Sequence, residues 1–279
     1  MTNAARGLIE TGAEKLTAAG IDTPRLDAEL LLAAAAGSSR AQLVAGLVDP
    51  TPAREIYNAW IERRATREPL AHITGSQGFR RIELKVDARV LIPRPETELL
   101  VAVAKSDRPC GILDVATGSG AVALALADEL PEASITAVDI SPDALALAAE
   151  NARALDLQDR VAFIESDLLA AVDASFDAIT ANLPYIEHGE IDALQPEVAQ
   201  FEPRLALDGG EDGLDLVRRL AEQAPARLKP GGLIALEIGM GQAAATEEIL
   251  RQNQFISTER HRDLSGIERV ISGRQPQTK

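Results

Sequence analysis

From Gly111 onward the chain alternates between short β-branched apolar runs and helix-length segments, and few folds accommodate that alternation. Strand patterns occupy Gly111–Val115, Ser134–Val138, Arg160–Ile164, Phe176–Ala181, Gly232–Ile238, Phe255–His261 and Glu268–Ser272. Helical patterns fill the gaps, notably Ala121–Glu129, Pro142–Ala154, Leu214–Leu228 and Ala243–Gln252. Repeated βα units pack as a mainly parallel sheet covered on both faces, so an α/β fold with seven strands is predicted. Only a short loop separates the last two strands, which makes that pair antiparallel. Open sheets of this kind hold ligands outside the C-terminal ends of their strands. Function is therefore sought at strand ends.

The N-terminal part reads differently. Residues 1 to about 66 predict short helices, with Thr23-Pro24 and Thr51-Pro52 as starts and Gly37 as a stop. No catalytic constellation lies there, and a small bundle that packs or recognises a partner is expected. Between Ile73 and Ile92 the pattern alternates: Phe79–Val86 as one strand, then Asp87-Ala88 leading into Arg89–Ile92, predicts a β-hairpin. Two prolines in Ile92-Pro93-Arg94-Pro95-Glu96-Thr97-Glu98 hold the chain extended before a helix near Glu96. The expected boundaries are a helical domain at 1–70, a hairpin linker at 71–95 and an α/β domain at 96–279.

Charge restricts the partners. Nine basic and nine acidic residues balance in 1–80, so the remaining 19 basic and 34 acidic residues carry the whole net charge of −15. An acidic α/β domain is a poor match for a phosphate backbone, and nucleic-acid binding is disfavoured. The richest apolar run, Leu30–Ala36, is too short for a membrane span, and the first residues lack a signal-peptide pattern. The single cysteine, Cys110, suits a reducing cytoplasm. His72, His188 and His261 lack metal-ligand spacing, and no metal site is expected.

Four strand ends carry ligand-type groups. The first runs Asp114-Val115-Ala116-Thr117-Gly118-Ser119-Gly120 straight into a helix, with small residues that allow a tight turn and close ligand approach. A glycine-rich turn is weak evidence alone. Asp139 ends the second strand about 20 residues later, where a ribose hydroxyl would be gripped; an N-cap is its structural alternative, though Ser141 is better placed for that. Asp167-Leu168 ends the third, and Asp167 could accept from an adenine amine or sit as a solvated acid. The fourth is Asn182-Leu183-Pro184-Tyr185. Asn182 offers a side-chain acceptor, Pro184 restrains Leu183 so that its carbonyl can point outward, and Tyr185 supplies a stacking face. Alone, this tetrapeptide could be a strand-ending turn. Convergence of four such ends on one sheet edge favours a nucleoside site beside a receptacle for a planar NH2 group.

These residues resemble class I S-adenosylmethionine-dependent methyltransferases, whose fold is Rossmann-like. Within them the chain is similar to the protein-(glutamine-N5) methyltransferases that modify peptide chain release factors. The likeness runs from the helical part and hairpin through Leu91–Glu98, the glycine loop and the Asn-x-Pro-Tyr element to Gln195–Val198, Phe201–Leu207 and Leu236–Gly239. Two departures stand out: Ala116 where the family usually has Gly, and Leu183 where it usually has Pro. The Ala116 methyl would strain the loop if that position needs φ > 0.

The resemblance implies S-adenosylmethionine as donor and the glutamine of the Gly-Gly-Gln motif in a class 1 release factor as acceptor. It implies cofactor contacts from Ala116, Thr117, Gly118, Ser119, Gly120, Asp139, Asp167, Leu168 and Asn182. Catalysis would rest on Asn182, Leu183, Pro184 and Tyr185, with Phe79, Arg94 and Glu96 as substrate rim or cofactor cover. The helical domain would recognise the substrate, and a cytoplasmic monomer is expected. Rivals are a ribosomal-protein glutamine methyltransferase, an adenine-N6 methyltransferase acting on RNA or DNA, and an inactive nucleoside-binding module.

Overall fold

The computed structural model describes residues 1–277 and divides into two compact units. One comprises Met1–Ser76 together with Gln195–Phe201; the other comprises Gln77–Leu194 and the chain from Glu202 onward. Among the described residues no helix is long and apolar enough to cross a membrane.

The first unit is helical: α1 (Asn3–Ala18), α2 (Pro24–Ala35), α3 (Arg40–Ala45), α4 (Arg54–Ala65) and α5 (Leu70–Thr74). Ile9, Leu16, Leu31, Leu32 and Leu43 are fully buried in its core, and Tyr57 donates its hydroxyl to the Leu8 carbonyl at 3.1 Å. Pro24 opens α2 as predicted, but Thr23 makes no cap bond; its hydroxyl donates to Asp27 at 2.7 Å. Thr51-Pro52 starts a 3-10 turn (Thr51–Ala53) ahead of α4, because the Thr51 hydroxyl is engaged by Asp49 at 2.6 Å. The distant segment Gln195–Phe201 belongs here through charge pairing. Arg64 spans buried Asp27 (2.8 Å) and Glu197 (2.9 Å), and Arg67 adds a second bond to Glu197 at 2.7 Å.

The second unit opens with a hairpin, β1 (Ser76–Phe79) and β2 (Ile82–Lys85), followed by α6 (Glu98–Ala104) after a 3-10 turn at Pro95–Thr97. The hairpin exists, but its turn differs from the prediction. The chain reverses at Arg80-Arg81, with Arg80 at φ +52, and Arg89–Ile92 is not a strand. Alternation cannot reveal a two-residue turn made of arginines. Here the turn is pinned from outside, since Arg80 donates its backbone N–H to Glu98 at 2.9 Å and its guanidinium to Glu129 at 3.0 Å. Val90 instead packs on Ala144 and Leu147.

Then follow β3 (Gly111–Val115), α7 (Ala121–Glu129), β4 (Ser134–Asp139), α8 (Pro142–Ala154), β5 (Val161–Glu165), β6 (Phe176–Ala181), the short α9 (Pro196–Ala199), α10 (Asp215–Gln223), β7 (Leu228–Glu237), α11 (Ala243–Gln252), β8 (Ile256–Arg262) and β9 (Glu268–Arg274); of these, α9 lies in the segment that belongs to the first unit. The seven strands are ordered β5-β4-β3-β6-β7-β9-β8. β9 runs antiparallel to both β7 and β8, while β3 through β7 pair in parallel. The predicted α/β sheet is therefore present, antiparallel last strand included. One helix ends early: α10 stops at Gln223, Pro225 sits in a 3-10 turn, and β7 begins at Leu228. Proline lacks the N–H that a continuing helix needs, so the predicted Leu214–Leu228 helix breaks there.

The central strands read as unbroken apolar runs because both faces are covered. Ile112, Leu113, Ile179, Ile234 and Ala235 are all fully buried. Strand order reverses between β3 and β6, and their C-terminal ends flank the crevice where such sheets bind ligands.

Candidate active site

A cavity of about 480 Å³ opens at that crevice, within the range of about 300–1,000 Å³ usual for ligand pockets. Its floor is riveted by Asp114 at the end of β3. This buried carboxylate accepts from Thr117 Oγ1 at 2.7 Å and from Thr180 Oγ1 at 2.8 Å, tying the glycine loop to β6. Burial pushes the Asp114 carboxyl up to about 6, against both hydroxyls. The loop then curls through left-handed conformations at Ala116 (φ +57), Gly118 (φ +57) and Gly120 (φ +82). Ala116 therefore occupies the region that its methyl group disfavours.

Asp139, at the end of β4, accepts the Gly118 N–H and the Ser141 N–H, both at 2.9 Å. Its carboxylate thus orients the loop as well as facing the cavity. Burial raises its pKa and these backbone donors oppose the rise. Ser141 caps α8 through the Ala144 N–H. Asn151 on α8 fastens the same loop to the hairpin, donating to the Ser119 and Lys85 carbonyls.

Asn182, Leu183 and Pro184 line the opposite wall. The Leu183 side chain is buried in the core, which fixes the backbone around it. No backbone donor among the described residues bonds to its carbonyl. Asn182 donates from Nδ2 to Oγ1 of Thr97 at 3.2 Å. Further along, Gln242 braces the loop: its Nε2 donates to the Tyr185 carbonyl and its Oε1 accepts from the Gly239 N–H, both at 2.9 Å. Gly213 (φ +72) presses against the same carbonyl; a Cβ there would lie 2.2 Å from the Tyr185 oxygen.

Ala116, Thr117, Gly118, Ser119, Asp139, Asp167, Leu168 and Arg94 share this cavity with Asn182, Leu183 and Pro184. Four predicted residues stand apart from the lining. Phe79, expected at the rim from the resemblance, ends β1 with its ring buried in the core beside Leu84 and Leu100. Gly120 faces protein: a Cβ would meet Leu124 at 3.0 Å and Ala148 at 3.2 Å, so its glycine serves packing and the left-handed turn. Tyr185 packs behind the wall, its phenol pushed up to about 12 by burial and by Glu237. Glu96 raises the pKa of both Tyr185 and Glu237 by its charge, which places it in that same shell. Asp167 is in the lining, but its carboxylate accepts from Arg219 at 2.7 Å.

Arg94, expected at the rim, pairs with Glu202, which was given no role from the sequence and is almost fully buried. Thr97, Glu237, Gln242 and Gly213 surround the Asn182–Tyr185 segment. One signal for Glu237 was readable: like Asp139, it is an acid ending an otherwise apolar, buried strand.

A mainly parallel sheet with this crevice, a glycine loop after its first strand and an acid ending the next is the arrangement of a nucleoside-binding α/β enzyme, and the matches to known proteins make it an S-adenosylmethionine-dependent methyltransferase. Residues 95–211 match the methyltransferase small domain and residues 8–75 the PrmC N-terminal domain. The chain belongs to the release factor glutamine methyltransferase family. It is 43% identical over 267 residues to the Caulobacter vibrioides release factor glutamine methyltransferase, covering 93% of this chain and 92% of that one. The Moorella thermoacetica enzyme of the same name is 46% identical over 245 residues, with 85% and 86% covered. A solved methyltransferase from Pyrococcus furiosus shares the fold, with a TM-score of 0.52 at 16% identity over 69% of this chain and 88% of that one.

Proposed function

We propose that this protein transfers the methyl group of S-adenosylmethionine to the side-chain amide nitrogen, N5, of the glutamine in the Gly-Gly-Gln motif of a class 1 peptide chain release factor. The names of its relatives support the substrate class. The observation that carries the chemistry is the shared cavity: Asn182-Leu183-Pro184 on one wall, and Ala116–Ser119 with Asp139 on the other. The donor set fits the cofactor. Left-handed backbone at 116 and 118 lets main-chain groups approach a ligand, and Asp139 offers a carboxylate beside them. When bound, S-adenosylmethionine supplies a methyl group on a sulfonium, which needs no further activation.

The protein's work lies with the acceptor. A carboxamide nitrogen is a poor nucleophile because its lone pair is delocalised into the carbonyl. Asn182 Oδ1 and the Leu183 carbonyl accept its two N–H groups, and so hold the nitrogen in line and stabilise positive charge growing on it. Fixed dipoles of this kind contribute through positioning and preorganised electrostatics, without a strong base. Pro184 restrains Leu183, and Tyr185 holds the segment from behind. Ala116 to Gly120, Asp139, Asp167 and Leu168 form the donor's side of the site, with Arg94 at its rim. The N-terminal helices, residues 1–70, carry recognition of the protein substrate.

The test is incubation with labelled donor and a purified release factor, alone and with its Gly-Gly-Gln glutamine replaced by alanine. Label on the intact motif alone is expected. Label on RNA, or on the replaced factor, would overturn the reading.

A further inference from the structure

Behind the Asn182–Pro184 wall lies a buried acid that takes no direct part in the transfer. Glu237 ends β7 at 3% exposure, and its Oε2 is buried without a hydrogen-bond partner. Thr97 and Asn182 both face its carboxyl group and favour its ionised form. Thr97 is itself buried, and its hydroxyl receives the Asn182 Nδ2 bond.

We propose that Glu237 is a positioning residue for methyl transfer, acting through Thr97 to fix which end of the Asn182 carboxamide faces the cavity. This rests on the proposed role of Asn182 Oδ1 as an acceptor. Hydrogen-bond direction sets the amide's orientation. An ionised carboxylate can only accept. A Thr97 hydroxyl aimed at it spends its one proton there and presents lone pairs to its other neighbour. That neighbour must then be the NH2 end of Asn182, as observed. The Asn182 oxygen is left without a bond from any described residue and free to accept from a ligand. A 180° flip of the amide would set Asn182 Oδ1 against Thr97 Oγ1 with no proton between the two oxygens.

Protonation removes this constraint. A neutral Glu237 can donate to Thr97, and Thr97 can then donate to Asn182 Oδ1, which turns the NH2 end toward the substrate. Burial pushes the Glu237 carboxyl up to about 7. Thr97 and Asn182 oppose that rise, the charge of Glu96 adds to it and Arg269 opposes it. Tyr185, also nearby, is pushed up to about 12 and stays neutral throughout. The ionised form of Glu237 is therefore the active one, and kcat should fall as pH drops through about 7.

The test compares wild type with Glu237→Gln, Thr97→Val and Thr97→Ser. Its readouts are kcat and KM for release factor, affinity for S-adenosylhomocysteine and the pH profile of kcat. For Glu237→Gln the expected result is a kcat loss of about ten- to a hundredfold. Cofactor affinity should stay within about threefold, and the acid limb near pH 7 should disappear. Thr97→Val should reproduce the kcat loss, and Thr97→Ser should restore most of it. Wild-type kcat with an unchanged pH profile in Glu237→Gln would overturn the proposal. So would equal rates in Thr97→Val and Thr97→Ser, which decides the matter if Glu237→Gln does not fold. Absence of glutamine methylation by the wild type would instead sink the functional reading itself, so the two failures are distinct.

Discussion

The guanidinium of Arg94 meets both carboxylate oxygens of Glu202, at 2.8 and 2.9 Å, from the wall of the cavity. Glu202 is nearly inaccessible, and burial raises its pKa against the opposing charge of Arg94. Arg94→Ala would leave that carboxylate buried and unpaired, at a cost of about 2–3 kcal/mol. Thermal denaturation should show Arg94→Ala to be less stable than the double variant Arg94→Ala/Glu202→Gln, in which the charge is gone. The reverse order would mean that the pair contributes nothing.

Ala116 sits at φ +57, where its methyl group costs about 1 kcal/mol relative to the right-handed region. Ala116→Gly should therefore match or exceed wild type in stability and in affinity for S-adenosylhomocysteine. Ala116→Val places a β-branched side chain at the same φ and should lose both. Calorimetric titration of the three proteins checks the order.

Gly213 touches the carbonyl of Tyr185 so closely that any side chain must displace the loop. Gly213→Ala is expected to lower kcat by about a hundredfold, the scale of a misplacement near 1 Å. Cofactor affinity should change far less, because the glycine loop lies on the other wall. A loss confined to cofactor binding would contradict this account.

Acid stability should depend on the hairpin turn. Arg80, and then Lys105, hold the Glu129 carboxyl down to about 2 from an ordinary 4.5. A depressed folded-state pKa contributes stability that is present above the unfolded value and lost as pH falls through the folded one. The wild type should therefore lose stability between about pH 4.5 and 2, over a range where Glu129→Gln changes less. Urea denaturation at several pH values measures the difference. Parallel curves would rule the pairing out as a source of stability.

How much of this could be read from the chain depended on the range of the interaction. The sheet, its antiparallel close and the four strand ends follow from period and strand length, which are local. Ala121–Glu129 and Pro142–Ala154 even start where expected, because Ser141-Pro142 caps one and Gly120 opens the other. The hairpin turn was misplaced because Arg80 is held by Glu98 and Glu129, far along the chain. Phe79, which the family resemblance put at the rim, lies in the core. The strand ends announced the cavity's lining, and Glu237 left a trace as an acid ending a buried strand, but the rest of the supporting shell, Thr97, Glu202 and Gln242, was invisible. Each of those side chains acts on a residue from another segment, and no spacing rule encodes that.

The central claim is that Asn182 holds the acceptor nitrogen. The most direct measurement is single-turnover methyl transfer to a purified release factor, with the product mapped by mass spectrometry, in wild type and Asn182→Ala. The account predicts a rate at least about a hundredfold lower in the variant, the scale of losing one preorganised partner. Affinity for S-adenosylhomocysteine should stay within a few-fold, and the wild-type label should fall on a single glutamine. Transfer at the wild-type rate by Asn182→Ala would contradict it.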